Sequence, residues 1–298
     1  MEHRTSRNWP TLLWLTFFIT LSGICVLQSA ALLKHGRDNA ALIMAVKQND
    51  TSHALALLNR GADSNATDNY GRRFLWRRVF QRVWYRLSGK KPPPEAAPTA
   101  LLVLCKAKRD RSGDSVPPGE NLLLLLALLD KGAHVDAVDS AGYTPLSYAV
   151  AYGNWSTARI LVERGADVNG RGYDEQPILT SAIYDPSLVR LLLDRGARVE
   201  ARSATGCTAL MMASEFNEAA SVRLLLAKGA DIEATDGEGN TALMYAIENY
   251  AEACVQVLLS RGAKTNRENK RRQTPLEVAQ KQGDPIIILL LKQAGAKA

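Results

Sequence analysis

The chain has 298 residues, 46% of them apolar and 22% charged, with a formal net charge of +7. That composition suffices for a continuous core and excludes a disordered polyelectrolyte. The four cysteines have no CxxC spacing and the four histidines no ligand spacing, which excludes a disulfide scaffold and a cysteine–histidine metal centre.

The positive charge is local. Arg72, Arg73, Arg77, Arg78, Arg82, Arg86, Lys90 and Lys91 all fall within residues 72–91, with no acid among them. These eight bases exceed the net charge of +7, so the rest of the chain is close to neutral.

Residues 1–10 form a short polar tail with Arg4 and Arg7, and residues 11–33 carry no charge at all. As a helix, this run would be about 35 Å long, enough for a hydrocarbon core of about 30 Å. Trp9 and Trp14 lie near one end, where indole rings favour the interface, and Lys34, His35 and Arg37 close the other. Two readings compete. One is a single-pass transmembrane anchor. The other is a secretory signal, with Ser29, Ala30 and Ala31 at the cut. The apolar length exceeds the usual signal core and favours the anchor. The basic residues flanking the run barely differ in number between its two ends, so the side that holds the rest of the chain is undetermined.

From residue 39 to 298 the chain returns to one pattern. Leu-Leu (Leu-Val once), a mostly polar pair and Gly-Ala recur, with the glycine at 61, 132, 165, 196, 229, 262 and, loosely, 295. After a first gap of 71 residues, the steps are 33, 31, 33, 33 and 33. A fixed period near 33 predicts a solenoid, in which each unit buries its apolar face only against its neighbours. Glycine suits a left-handed residue where a helix stops. A second landmark keeps the same period: Thr144-Pro-Leu, Thr208-Ala-Leu, Thr241-Ala-Leu and Thr274-Pro-Leu lead to Ala149, Ala213, Ala246 and Ala279. Threonine predicts an N-cap, proline a first helical turn, and alanine a close helix contact. Each unit therefore reads as turn, short helix, second helix, Gly-Ala.

The first unit, residues 39–63, is divergent, as a terminal repeat is expected to be. The long step holds one unit with two insertions, at about 72–98 and at 106–120. The second reads as an exposed loop. The first places Trp76, Val79, Phe80, Val83, Trp84 and Leu87 at helical spacing, with Arg77, Arg78, Arg82 and Arg86 opposite. Pro92 to Pro94 end it. This amphipathic basic helix would lie on an anionic membrane surface through Arg73, Trp76, Arg77, Arg78, Phe80, Arg82, Trp84 and Arg86, or pack on the side of the solenoid with its arginines in water. Nucleic acid is disfavoured as its partner, because no recognised binding fold surrounds the patch. The unit ending at Gly196 has lost two residues near Tyr184 to Pro186, and its Arg171 to Leu179 stretch departs from the pattern. The run Ile286 to Leu291 is too apolar for all six side chains to face inward.

The pattern T-P-L-x-x-A followed by L-L-x-x-G-A-D resembles the ankyrin repeat, over about seven units from residue 39 to 298. The resemblance implies an all-α solenoid of helix–turn–helix units with β-turn fingers. It also implies a protein-binding scaffold whose contacts come from finger tips and the exposed face of the first helices. Carried over position by position, that surface holds Tyr143, Tyr152, Tyr173, Tyr184, Phe216, Asn240 and Asn249. Tyr and Phe give large contact areas at modest entropic cost. No nucleophile–base pair, phosphate-cradling glycine run or metal constellation is legible, so neither cofactor nor enzymatic activity is expected. The expected protein is a membrane-anchored scaffold, the alternative a soluble exported inhibitor or immunity-type binder released by signal cleavage.

Overall fold

The computed structural model describes residue 34 and residues 36–67, 99–106, 118–172 and 175–297. The expected anchor at 11–33 and the basic stretch at 72–98 lie outside the described residues. Among the described residues, no helix is long and apolar enough to cross a membrane.

Helices come in consecutive pairs. They are α1 (residues 36–47) and α2 (Thr51–Asn59), α3 (Ala100–Lys106) and α4 (Pro118–Asp130), α5 (Pro145–Ala151) and α6 (Trp155–Glu163), and α7 (Ile178–Ser181) and α8 (Pro186–Asp194). Then follow α9 (Ala209–Glu215) and α10 (Ala219–Ala227), α11 (Ala242–Glu248) and α12 (Glu252–Ser260), and α13 (Pro275–Gln282) and α14 (Pro285–Gln293). From α3 on, each first helix packs on the next first helix, and the second helices from α2 on do the same. The first helices make the inner layer and the second helices the outer one. The core is one continuous strip along the stack, from Leu42 to Leu291.

The repeated residues do what their spacing requires. Thr144, Thr208, Thr241 and Thr274 are N-caps whose hydroxyls accept the amide three residues on, at 3.1, 3.4, 3.4 and 3.3 Å. Glu277 returns the favour by accepting the Thr274 amide at 2.7 Å, a reciprocal capping box. Ala149, Ala182, Ala213, Ala246 and Ala279 are at most 1% exposed, so neighbouring helices approach over a methyl group. Outer helices end in a Schellman turn. At Gly229, φ is +87°, the glycine amide reaches the carbonyl of Leu226, and the Ala230 amide reaches that of Leu225.

Two further couplings run between units. The amide that follows Gly-Ala donates to a side-chain oxygen of the preceding unit: His134 to Asn65, Asp167 to Asp136, Arg198 to Asn169, Asp231 to Glu200, Lys264 to Glu233 and Lys297 to Asn266; in the first unit Asp63 donates to Asn39 of its own first helix. The later fingers also touch. The Gly237 amide donates to the Thr205 carbonyl at 3.1 Å, and the Lys270 amide to the Glu238 carbonyl at 2.9 Å. Three fingers are closed at their base by single antiparallel bridges: Thr67 with Thr99, Arg171 with Pro177, and Thr235 with Thr241. Residues 68–98 thus leave and rejoin the described fold at one finger base. On α14, Ile287 and Leu291 are buried while Ile286 and Leu289 are half exposed, as the apolar excess of that helix requires.

Glycine has two distinct jobs here, and alanine separates them. At Gly229 an added Cβ meets nothing within 4 Å, so Gly229→Ala carries only left-handed backbone strain, about 1 kcal/mol. At Gly206, φ is +86° and the Cβ would lie 3.0 Å from the Gly237 amide of the next finger. Gly206→Ala is therefore expected to lower stability by about 3 kcal/mol, measured as the shift in urea midpoint. Equal losses at the two positions would show that the fingers do not pack as described.

Candidate functional site

The site is a groove on the inner layer, and an irregular unit creates it. Where α5 and α9 run for seven residues, α7 runs for four. Pro177 occupies the position of the capping threonine and provides no side-chain cap. The Thr180 hydroxyl folds back on the Pro177 carbonyl at 2.7 Å. Four residues after the cap, on the inner face, other units carry Tyr148, Met212 and Tyr245; this one carries Ser181. The short helix and the small side chain leave a space between larger neighbours. It amounts to a cavity of about 660 Å³, open to solvent, with Tyr148, Tyr152 and Trp155 on one side and Met212 and Phe216 on the other.

The aromatic side chains fall into two groups. In the first, the Tyr148 ring is the hub. Tyr152, four residues on, stacks against it with centroids 6.0 Å apart, and Tyr143 meets it edge-on at 5.5 Å. The Lys106 ammonium sits 5.3 Å from the Tyr148 centroid. The Tyr148 hydroxyl donates to the Asp139 carboxylate at 2.5 Å. Burial works against that carboxylate, but the Tyr148 hydrogen bond, the amides of Tyr143 and Ala141 and the Lys106 charge together hold it below the ordinary range. Burial and the adjacent Asp139 push the Tyr148 phenol up. The second group is Tyr184 and Phe216, edge-on at 5.5 Å and each nearly half exposed. Both stand at the turn between the helices of their unit. Burial, with Glu218 and Glu215 nearby, raises the Tyr184 phenol.

The residues expected from the sequence divide accordingly. Tyr143, Tyr152, Tyr184 and Phe216 all line the groove. Tyr173 lies outside the described residues, as do Arg73, Trp76, Arg77, Arg78, Phe80, Arg82, Trp84 and Arg86. Asn240 is held inside a finger: its amide nitrogen faces Asp236 at 3.3 Å, and its oxygen accepts from Asn269 at 2.9 Å. Asn249 is exposed and donates to the Tyr245 carbonyl, away from the groove. Sequence reasoning missed Tyr148, Trp155, Met212, Gln176 and Ser181 as lining residues. The signal for Tyr148 was present, since a tyrosine four residues before Tyr152 on a helix must share its face.

A second finger–helix contact repeats the first. The Tyr245 hydroxyl donates to Asp236 at 2.9 Å and lies 3.1 Å from the Cys207 sulfur. Burial and these two partners push its phenol up. Three described cysteines are reduced and buried; burial alone raises Cys105 to about 12. Among the described residues, no three His, Cys, Asp or Glu side chains are grouped to hold a metal ion. What the groove can do is receive apolar or aromatic groups between rings, with hydroxyl and amide donors at its edges.

Comparison with known proteins places this geometry in context. A family model described as Ankyrin repeats (3 copies) matches residues 170–236 and 210–298, and one described as Ankyrin repeat matches residues 141–173. An ankyrin repeat-containing protein of Treponema pallidum is 38% identical over 94 residues, covering 30% of this chain and 32% of that protein. An ankyrin repeat protein of Variola virus is 25% identical over 181 residues, covering 57% of this chain and 31% of its own length. An ankyrin repeat-containing protein of Schizosaccharomyces pombe is 46% identical over 56 residues, covering 18% and 27% respectively. The chain thus spans about a third or less of the length of these relatives.

A phenol whose folded pKa is raised stabilises the fold below its unfolded pKa of about 10 and loses that contribution as pH rises. Tyr148 and Tyr245 both have this sign. The urea midpoint is expected to fall between pH 9 and 11, and to fall less in a Tyr148→Phe, Tyr245→Phe variant. Asp139 has the opposite sign, so its contribution is lost as pH falls below the ordinary carboxylate range. An alkaline slope unchanged by the double substitution would remove these two hydroxyl–carboxylate contacts from the account.

Proposed function

This chain belongs to the ankyrin-repeat family, and from that premise we propose that it is a membrane-anchored scaffold that binds another protein through the aromatic groove. The observation that carries the proposal is the convergence of Tyr143, Tyr152, Tyr184 and Phe216 on one cavity that a shortened repeat leaves open. Exposed aromatic side chains on rigid helix ends are the typical anchors of protein interfaces. Membrane attachment rests on the uncharged run of residues 11–33 and, as a second contact, on the basic amphipathic pattern of 72–87 facing anionic lipid. The side of the membrane that holds the repeats follows from neither. We also propose that the chain acts by binding rather than catalysis. The Tyr148 hydroxyl and the Asp139 carboxylate beside the groove are engaged with each other.

Ser181 provides the direct test. Ser181→Tyr restores the residue that Tyr148 and Tyr245 represent in other units and fills the groove from its floor. The variant is expected to melt at or above the native temperature and to lose a partner captured by the native chain. Tyr184→Ala and Phe216→Ala should each weaken that partner by about 1–2 kcal/mol with little change in melting, because both side chains are nearly half exposed. Undiminished binding in all three variants would move the interface elsewhere. Attachment is tested by alkaline extraction of membranes. The full chain is expected to stay with lipid, and protease treatment of intact vesicles then reports the side of the repeats. Release into the supernatant with a mature N-terminus near residue 32 would establish the soluble exported form instead.

A further inference from the structure

The groove's lining carries no charged side chain, but two carboxylates stand beside its Tyr184–Phe216 end and specify what it takes. Glu215 is the last residue of α9 and immediately precedes Phe216; Glu248 is the last residue of α11, which packs beside α9. Both carboxylates therefore sit at helix C-termini, where the backbone already presents negative charge and a base is the favoured residue. Neither has an ion pair among the described residues. Burial and the neighbouring Glu248 raise the Glu215 carboxyl, so the two repel each other. Glu218, the N-cap of α10, is close enough to act on Tyr184, but it also shares the Cys254 neighbourhood with Arg223. The weight falls on Glu215 and Glu248. At the opposite end the polarity is already balanced, with Lys106 on the Tyr148 ring and Asp139 on its hydroxyl.

Resting on the groove as the protein-binding site, we propose that its Tyr184–Phe216 end is the seat of an arginine or lysine side chain from a partner polypeptide, whose adjacent apolar residue enters the space over Ser181. A cation there meets exposed ring surface of Tyr184 and Phe216 and two carboxylates that have no ion pair among the described residues. Cation–π attraction and charge pairing act on the same group, and the aliphatic stem of the base covers ring surface. An acidic or purely apolar segment would leave Glu215 and Glu248 desolvated against nothing, which is unfavourable. The retained repulsion is consistent with this: two carboxylates that do not help the fold are compensated when the cation arrives.

The test uses the full chain and an immobilised array of random octapeptides. Peptides retained by the native chain are expected to be enriched in arginine or lysine next to an apolar residue. Replacing the base by glutamine in a retained peptide should weaken it about tenfold. A Glu215→Gln, Glu248→Gln variant should show a similar loss for the basic peptide and little further loss for its glutamine version. Its melting temperature should be at or above the native value, since neutralisation relieves repulsion; a drop would mark a structural role and overturn the proposal. Retained peptides without a base, or equal affinity in the Gln variant, also overturn it. If such peptides are still lost on Phe216→Ala or Ser181→Tyr, the groove stands and only its charge preference fails. An array that retains no peptide would overturn both readings.

Discussion

No helix pair in this chain can bury its own inner surface; that constraint shapes everything else. A seven-residue inner helix with a nine-residue outer one has too little area to offset the entropy of ordering it. Burial comes from the next pair, so the interface between units has to be close and repeatable. The alanine row from Ala149 to Ala279 provides the closeness, because a methyl group lets inner helices meet along their length. The capping threonines and Schellman glycines provide the repeatability by fixing where each helix starts and stops. The amide-to-side-chain ladder from Asn65 to Lys297 then sets the step from one unit to the next.

A stack built this way can tolerate one defective member, since neighbours on both sides still supply contacts. The unit with α7 is that member. It keeps Ile178, Leu179, Ala182 and Ile183 in the core, which preserves its place in the stack. What it loses is the solvent side: three residues of inner helix, the threonine cap and the large side chain at position 181. The vacancy is bounded by complete units, whose rings cannot follow the short helix because they are packed on their own. A groove at this point is thus compatible with stability, because the core and the groove use opposite faces of the same short helix.

Much of this was legible in the residues. Helix ends came from Thr144, Thr208, Thr241 and Thr274 and from the Gly-Ala steps, since caps and left-handed glycines have strong local chemistry. Four of the groove aromatics were legible because helix-end positions in a repeat are exposed by construction. The groove itself was not, because a cavity depends on what a neighbour lacks. Only the missing two residues and the odd stretch before Leu179 hinted at it. Tyr148 was not singled out, although its four-residue spacing to Tyr152 placed both on one face. Asn240 looked free but is bound to Asp236 and Asn269, a contact between fingers that a single unit cannot reveal. The side-chain ladder escaped for a similar reason: its acceptors are Asn, Asp and Glu in turn positions where solvation explains them equally well.

The two aromatic groups differ in how firmly they are held, and this bears on recognition. Tyr148 is buried, stacked by Tyr152, covered by Lys106 and hydrogen-bonded to Asp139. It forms a wall whose geometry is set before any partner arrives, so little is lost in ordering it. Tyr184 and Phe216 meet edge-on and are each nearly half exposed. They can adjust to a partner's side chain, at some entropic cost. A fixed wall beside an adjustable pair favours one orientation of an incoming chain: its apolar residue matches the wall, and its variable, charged residue meets the pair next to Glu215 and Glu248. Outside residues 72–91 the chain is close to neutral and adds little long-range attraction, so discrimination between partners at this contact has to arise in the contact itself.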